Sequence, residues 1–207
     1  MAKAIALVSG GIDSIVAAAL SLQAGMDLDF IHFDTRPLGN TRGIEKTKKL
    51  AKQLGKMFGK EIGVVVAPHG DALFEIAKKC NRKYSCVLCR RMMLRVASKV
   101  AKREKAKALV TGESIGQVAS QTLFNLNAEH GASLVPVVKP LLGMDKLEIE
   151  RLAKQFGTFE ISILPSACCS IPSKPATKAT AKDINFEEKL FDAEALAENS
   201  LKKAAFS

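Results

Sequence analysis

The 207-residue sequence predicts an α/β fold, a doubly wound parallel sheet with a C-terminal loop and helix, on three observations. Short apolar runs alternate with longer amphipathic stretches, one of those runs is continuously apolar and rich in β-branched residues, and the first run ends in a Gly-Gly turn that opens a helix. Alternation at this spacing needs crossovers between parallel strands, with helices covering both faces of the sheet.

In order along the chain, residues 3–8 form an apolar strand, and residues 13–24 an alanine- and leucine-rich helix that stops at Gly25. A second strand spans 28–33. The helix over 42–58 places Ile44, Leu50, Leu54 and Phe58 among lysines, and 62–67 is the continuous apolar run of a buried strand. Residues 72–79 read as a helix and 88–105 as a long basic amphipathic helix. A short strand over 108–111 ends at Gly112 and precedes a helix over 117–129; a strand over 134–138 and a helix over 145–156 follow. Pro165, Pro172 and Pro175 interrupt any helix between 163 and 182, so that stretch is a loop, and helical periodicity returns over 185–203. The expected organisation is one domain over 1–182, with 183–207 as a helical extension of it.

Composition narrows the function classes. The chain is 47% apolar and 25% charged, and no apolar run approaches the ~20 residues that a membrane span needs. The opening residues flow straight into the Gly-Gly turn, so they read as a strand and not as a secretion signal. With 31 basic against 21 acidic residues the formal charge is +10, which attracts nucleotides or nucleic acid. The five cysteines are Cys80, Cys86, Cys89, Cys168 and Cys169; an odd number, with one Cys-x-x-Cys and one adjacent pair, argues for reduced thiols in the cytoplasm.

The stretch Ser9-Gly10-Gly11-Ile12-Asp13-Ser14 has the parts of a phosphate cradle. Its glycines permit a tight turn and close approach, its hydroxyls donate, and a helix starts immediately behind it. Asp13 suits a site that holds Mg²⁺ on ATP or steers the nucleotide. The Gly-Lys-Ser/Thr ending of a Walker loop is absent, which sets this site apart from that class. Cys86 and Cys89 sit at the start of a basic helix, where the dipole favours thiolate, and that spacing can chelate a metal, form a disulfide or carry sulfur. Cys80 reads as a small buried hydrophobe. His32, His69 and His130 lack a metal-ligand spacing and read as loop or surface residues.

The Ser-Gly-Gly-x-Asp-Ser loop after the first strand resembles that of the PP-loop ATP pyrophosphatases, of the adenine nucleotide alpha hydrolase-like fold. Further stretches narrow the likeness: Cys89-Arg90-Arg91-Met92-Met93; Thr111-Gly112-Glu113-Ser114 continuing through Gly116-Gln117-Val118-Ala119-Ser120-Gln121-Thr122; Lys139-Pro140-Leu141-Leu142-Gly143-Met144-Asp145-Lys146; and the Cys168 region followed by Pro175. Together they resemble the catalytic domain of the ThiI family of tRNA uridine 4-sulfurtransferases, from about residue 3 to about residue 182.

The resemblance implies that ATP binds at Ser9, Gly10, Gly11, Asp13 and Ser14, with Gly112 and Gln117 completing the site. Asp13 would be the essential acid, Lys146 a functional lysine that neutralises phosphate charge, and Cys168 the catalytic thiol, with Cys169 as its alternate. It also implies tRNA as partner and a sulfur donor or sulfide. Neither a THUMP region nor a rhodanese domain is recognised in the sequence, so a separate RNA-binding chain is a further expected partner. Cys86, Cys89 and Cys168 are the expected ligands of an iron–sulfur cluster, with structural zinc as the alternative. A PP-loop enzyme that adenylates a small molecule, without RNA, is the competing reading.

Overall fold

The computed structural model describes residues 2–116, 120–165 and 174–206. Five strands run parallel: β1 (Lys3–Leu7), β2 (Asp27–Asp34), β3 (Val64–Pro68), β4 (Ala108–Val110) and β5 (Val137–Val138). A sixth, β6 (Ala205–Phe206), returns antiparallel along the β3 edge. Among the described residues the order is β5-β4-β1-β2-β3-β6. The chain therefore winds outward from β1 to β3 and then crosses back to lay β4 on the other side of β1. Such a reversal leaves a crevice beyond the carboxyl ends of β1 and β4, where open α/β sheets take their ligands.

The period of two along each strand sorts side chains onto opposite faces. Ala4, Ala6, Val8 and Phe30 pack with Ile15, Val16, Leu50, Leu54 and Ile149, beneath α1 (Ile12–Gln23), α2 (Arg42–Phe58) and α6 (Lys146–Gln155). Ile5, Ile31, Phe33 and Val65 pack on the opposite face, beneath α3 (Gly70–Lys79), α4 (Ser85–Arg103) and α9 (Ala193–Lys203). The small residues of β1 and α1 let that helix approach the strand closely. α2 stops where Gly59 takes φ +62°, a left-handed conformation that closes the helix through its N–H to the Gly55 carbonyl. A short helix, α7 (Phe159–Ser162), follows α6.

The structure departs from the sequence expectations in several elements. α4 starts at Ser85, so Cys86 and Cys89 lie inside its first turns. Of the helix expected over 117–129, residues 117–119 lie outside the described ones, and the rest begins at Leu123 as α5 (Leu123–His130), because Thr122 is its N-cap and accepts from the Asn125 N–H at 3.2 Å. The strand expected over 134–138 contracts to Val137 and Val138, since Pro136 has no N–H to give the ladder. The terminal helix expected over 185–203 is two helices followed by β6. α8 (Ala181–Glu188) opens with a Thr180/Asp183 capping box, and Asp192 caps α9 afresh by accepting from the Ala195 N–H at 2.9 Å.

His32 and His69, expected as loop or surface residues, are both buried, although His69 does lie in the connection between β3 and α3. His32, on β2, has Nδ1 2.9 Å from the Val8 carbonyl and 3.0 Å from Thr47 Oγ1. A carbonyl only accepts, so Nδ1 carries the proton. His69, just before α3, sits edge-on to Phe33 and is 1% exposed. Burial pushes both imidazoles below their ordinary range, His69 to about 4.

Arg91 and Arg95 of α4 both grip Glu188 at the end of α8. Arg91 Nε and Nη2 reach it at 2.9 and 2.7 Å, and Arg95 Nη1 at 3.0 Å. Glu188→Ala leaves these guanidinium groups without their carboxylate and should destabilise the fold by about 3 kcal/mol in urea unfolding, with Glu188→Gln costing less. The buried histidines add a pH dependence. Between pH 6.5 and about 4 the unfolded chain takes up a proton that folded His69 refuses, so stability should fall as the pH drops through that window. His69→Gln should flatten the curve measured by unfolding at successive pH values.

Candidate functional site

β1 delivers the glycine loop to the crevice. Gly10 takes φ +84°, a conformation that L side chains rarely adopt, and the Lys46 side chain lies over it: a Cβ there would sit 3.2 Å from Lys46 Cδ. The Ser14 hydroxyl donates to the Gly11 carbonyl at 3.1 Å and lies 3.2 Å from Ser9 Oγ. The Ser9 and Gly11 N–H groups donate to Ser14 Oγ and Ser9 Oγ, each at 3.3 Å. These bonds shape the loop at the N-terminus of α1, whose first turn carries Asp13.

Gly112, two residues beyond β4, explains its own identity. A Cβ there would lie 2.6 Å from the Ser14 nitrogen and Cα and 2.7 Å from the Asp13 carbonyl carbon. Two backbones touch at this point, and only glycine permits it. From the other side of the crevice, α6 presents Lys146 at its first position, behind the N-cap Asp145, which accepts from the Glu148 N–H at 2.8 Å. Lys146 Nζ donates to Asp13 Oδ1 at 2.5 Å, joining residues 133 positions apart. Both side chains remain partly open to solvent. The loops after β4 and β5 are tied together by Ser114 Oγ to the Met144 carbonyl at 2.8 Å and by the Ile115 N–H to the Leu142 carbonyl at 3.2 Å.

A buried ionic cluster lies beside the loop, and sequence reasoning missed it. Glu113 accepts from Thr111 Oγ1, pairs with Arg90 Nη2, and has Lys139 Nζ at 3.7 Å. Arg90 Nε also bonds Glu129 Oε2 at 3.1 Å. Glu113 and Glu129 are each 2% exposed, and Glu129 Oε1 makes no hydrogen bond among the described residues. Burial pushes the Glu129 carboxyl up, against the pull of Arg90, and pushes the Lys139 ammonium down. Arg90, Glu113 and Lys139 each lie in a different one of the motif stretches noted above. Their presence there was the available signal; their mutual contact depends on the fold.

The thiols divide by environment. Cys80 is buried as expected: its Sγ points at the Glu187 carbonyl at 3.6 Å, and burial pushes its thiol up to about 11. Cys86 and Cys89 are half-buried at the start of α4, and Cys89 Sγ lies 3.2 Å from His69 Nε2. Their helix-terminal position suits thiolate ligands. Cys168, Cys169 and Gln117 lie outside the described residues. Among the described residues no three His, Cys, Asp or Glu side chains gather as a metal site. On one flank of 166–173, the Leu164 carbonyl accepts from Lys46 Nζ at 2.7 Å; on the other, the Ala176 N–H donates to the Lys83 carbonyl at 2.8 Å. No helix among the described residues is long and apolar enough to cross a membrane.

Comparison with known proteins agrees with this architecture. The family described as "Thiamine biosynthesis protein (ThiI)" matches residues 1–192. A "Probable tRNA sulfurtransferase" of Thermoanaerobacter pseudethanolicus is 42% identical over 192 residues, which are 91% of this chain and 50% of that protein. One of Brevibacillus brevis is 38% identical over 202 residues, 96% of this chain and 50% of its own length. A solved 4-thiouridine synthetase in complex with RNA and bound ATP superposes with a TM-score of 0.95 at 35% identity, covering 100% of this chain and 55% of that one. NMN synthetase from Francisella tularensis, at 12% identity and a TM-score of 0.57, shares the fold. The chain thus spans about half the length of the curated relatives it matches. With a family match over residues 1–192 and relatives at this level of identity, the chain belongs to the ThiI family.

Proposed function

We propose that the chain carries the catalytic machinery of an ATP-dependent tRNA sulfurtransferase: it adenylates the O4 carbonyl of a uridine, releases pyrophosphate and inserts sulfur to give 4-thiouridine. The observation that carries this reading is the Asp13–Lys146 ion pair at the mouth of the glycine loop, with the Gly112 backbone against Ser14. The ThiI family match and the ATP- and RNA-bound relative support it.

In this reading ATP enters with its phosphates over Ser9–Ser14, where main-chain N–H groups and the N-terminus of α1 receive negative charge. The left-handed Gly10 shapes the turn and the absence of a side chain at Gly11 lets the phosphates approach the backbone, while Gly112 lets its own loop close against Ser14. Mg²⁺, when bound, would neutralise phosphate charge, and the partly exposed Asp13 carboxylate fits as its holder. Lys146, released from Asp13 by the incoming nucleotide, places a positive charge where pyrophosphate departs. Uridine O4 attacks the α-phosphorus and the bond to the β-phosphate oxygen breaks. A sulfur nucleophile then adds at C4, and AMP leaves with the former O4.

Cys168 is assigned to the sulfur step by family resemblance, with Cys169 as its alternate, and Gln117 to the ATP site on the same ground. An iron–sulfur cluster, when bound, would supply an iron that accepts sulfide; Cys86 and Cys89 would hold it together with Cys168, and zinc is the competing metal. A sulfur donor or sulfide, a separate RNA-binding chain and a cytoplasmic setting complete the proposal, as does the treatment of 183–207 as an extension of one domain.

Three outcomes test the assignment. Asp13→Ala should cut tRNA-dependent pyrophosphate release by two to three orders of magnitude, on the order seen when one aligned electrostatic group is lost. Its melting temperature should stay near wild type, because Asp13 is partly exposed. Cys168→Ala should release pyrophosphate normally yet form no 4-thiouridine by nucleoside analysis; full thiolation in that variant would remove Cys168 from the sulfur step. Affinity for tRNA should fall steeply with added salt. Undiminished pyrophosphate release with a small-molecule acceptor, and none with tRNA, would favour the small-molecule reading.

A further inference from the structure

An aromatic and basic surface borders the crevice, and the chemistry described so far leaves it unused. At the start of α5, Leu123 is 64% and Phe124 54% exposed, and Lys178 Nζ stands 4.9 Å from the centre of the Phe124 ring. Three separate stretches build this surface, and hydrogen bonds lock them together. Thr122 Oγ1 donates to the Thr177 carbonyl at 2.7 Å, and Asn125 Nδ2 donates to the Ala176 carbonyl at 2.8 Å. The Ala179 N–H donates to Asn125 Oδ1 at 2.8 Å, and the Ala176 N–H reaches the carbonyl of Lys83, in the 3₁₀ turn Arg82–Tyr84.

The charge on these stretches is one-sided. Residues 82–84, 122–127 and 174–183 contain Arg82, Lys83, Lys174, Lys178 and Lys182, all exposed, against the single carboxylate of Asp183. That carboxylate is already engaged, accepting from Thr180 Oγ1 at 2.6 Å and from the Thr180 N–H at 3.2 Å. The surface is also fixed relative to the candidate ATP site. Gln121, next to the N-cap Thr122, accepts from the Ser114 N–H at 3.1 Å through its side chain and from the Gly116 N–H at 3.0 Å through its carbonyl. Ser114 in turn belongs to the loop whose Gly112 touches Ser14.

An exposed ring carrying a cation, on stretches that hold further exposed cations and are nearly free of carboxylates, is what a single-stranded nucleic acid fits. Every base has a face that stacks on an aromatic side chain, and the backbone follows the positive charges. A protein partner would have to bring carboxylates to match this excess of cations, whereas a nucleic acid carries a negative charge at every nucleotide. We propose that this surface binds a single-stranded segment of the RNA substrate, with one base stacked on Phe124 and the neighbouring phosphates on Lys178, Lys182 and Arg82. The proposal deepens the RNA reading above and rests on it.

The test is fluorescence anisotropy with a labelled short single-stranded oligouridylate and with unfractionated tRNA, across a salt series. Phe124→Ala should weaken oligonucleotide binding about tenfold, and Phe124→Trp should retain it. Lys178→Gln and Lys182→Gln should each lower the slope of log affinity against log salt by about 0.7. Affinity for ATP should be unchanged in all four variants. Wild-type affinity in Phe124→Ala, with tRNA still bound, overturns this surface and leaves the tRNA reading standing. Equal competition by duplex RNA overturns the stacked base. Failure of the wild-type protein to bind either RNA overturns the RNA reading itself.

Discussion

The contact between the Gly112 backbone and the Asp13–Ser14 backbone governs the geometry of the candidate site. At this distance a single methyl group would force β4 and the start of α1 apart. The loops after both strands would then lose their common reference. The contact follows from the sheet order: only because the chain crosses back and sets β4 beside β1 does the segment after β4 meet the loop after β1. The same return brings α6 round to face α1, so that Lys146 reaches Asp13 from an element far away in sequence. Topology thus creates the ion pair that local sequence could not.

The ionic cluster is the second consequence of that arrangement. Four charged groups of opposite sign meet where Arg90 of α4, Glu113 after β4, Glu129 of α5 and Lys139 after β5 converge. A lone buried carboxylate is costly, and Glu113 avoids that cost by accepting from a hydroxyl and facing two cations. Replacing such a cluster with apolar residues could hold the elements together as well. Charge and hydrogen bonding add direction: the guanidinium of Arg90 bridges two carboxylates on different elements, which fixes the helix–strand register beside the glycine loop. The positions of Gly112 and Lys139 are linked through Glu113 in the same way.

Much of the fold was legible because its determinants are local. The helix over 42–58 is legible to the residue, since an apolar stripe runs among its lysines, and in the structure Gly59 ends it. β1 and the glycine loop were equally plain. What escaped reading was non-local. The break at 189–192 escaped because the stretch from 185 to 203 keeps helical periodicity; Glu188, drawn to Arg91 and Arg95, and the fresh cap at Asp192 end one helix and start another. His69 lies in the connection between β3 and α3, in keeping with a loop or surface residue, but nothing in its sequence neighbourhood announces that Phe33 and Cys89 will enclose it. At the site, the glycines, Asp13 and Lys146 were nameable from motifs, but the pairing of Asp13 with Lys146 was not.

Asn125 shows how the two halves of the surface beside the crevice are kept in register. It is fully buried, and its amide has little choice of orientation: Nδ2 donates to the Ser120 and Ala176 carbonyls at 2.9 and 2.8 Å, while Oδ1 accepts from the Ala179 N–H. An aspartate of the same shape would replace two donors with an acceptor facing carbonyl oxygens, and a leucine would leave three backbone groups without partners. Asn125 therefore holds the 174–179 stretch against α5. That stretch also closes the far flank of 166–173, where the family resemblance places the sulfur-handling thiol. One buried amide thus ties the exposed cationic face to Ser120, next to Gln121, whose bonds to Ser114 and Gly116 lead to the candidate ATP site, so that RNA held on that face would be positioned relative to the crevice by the protein interior.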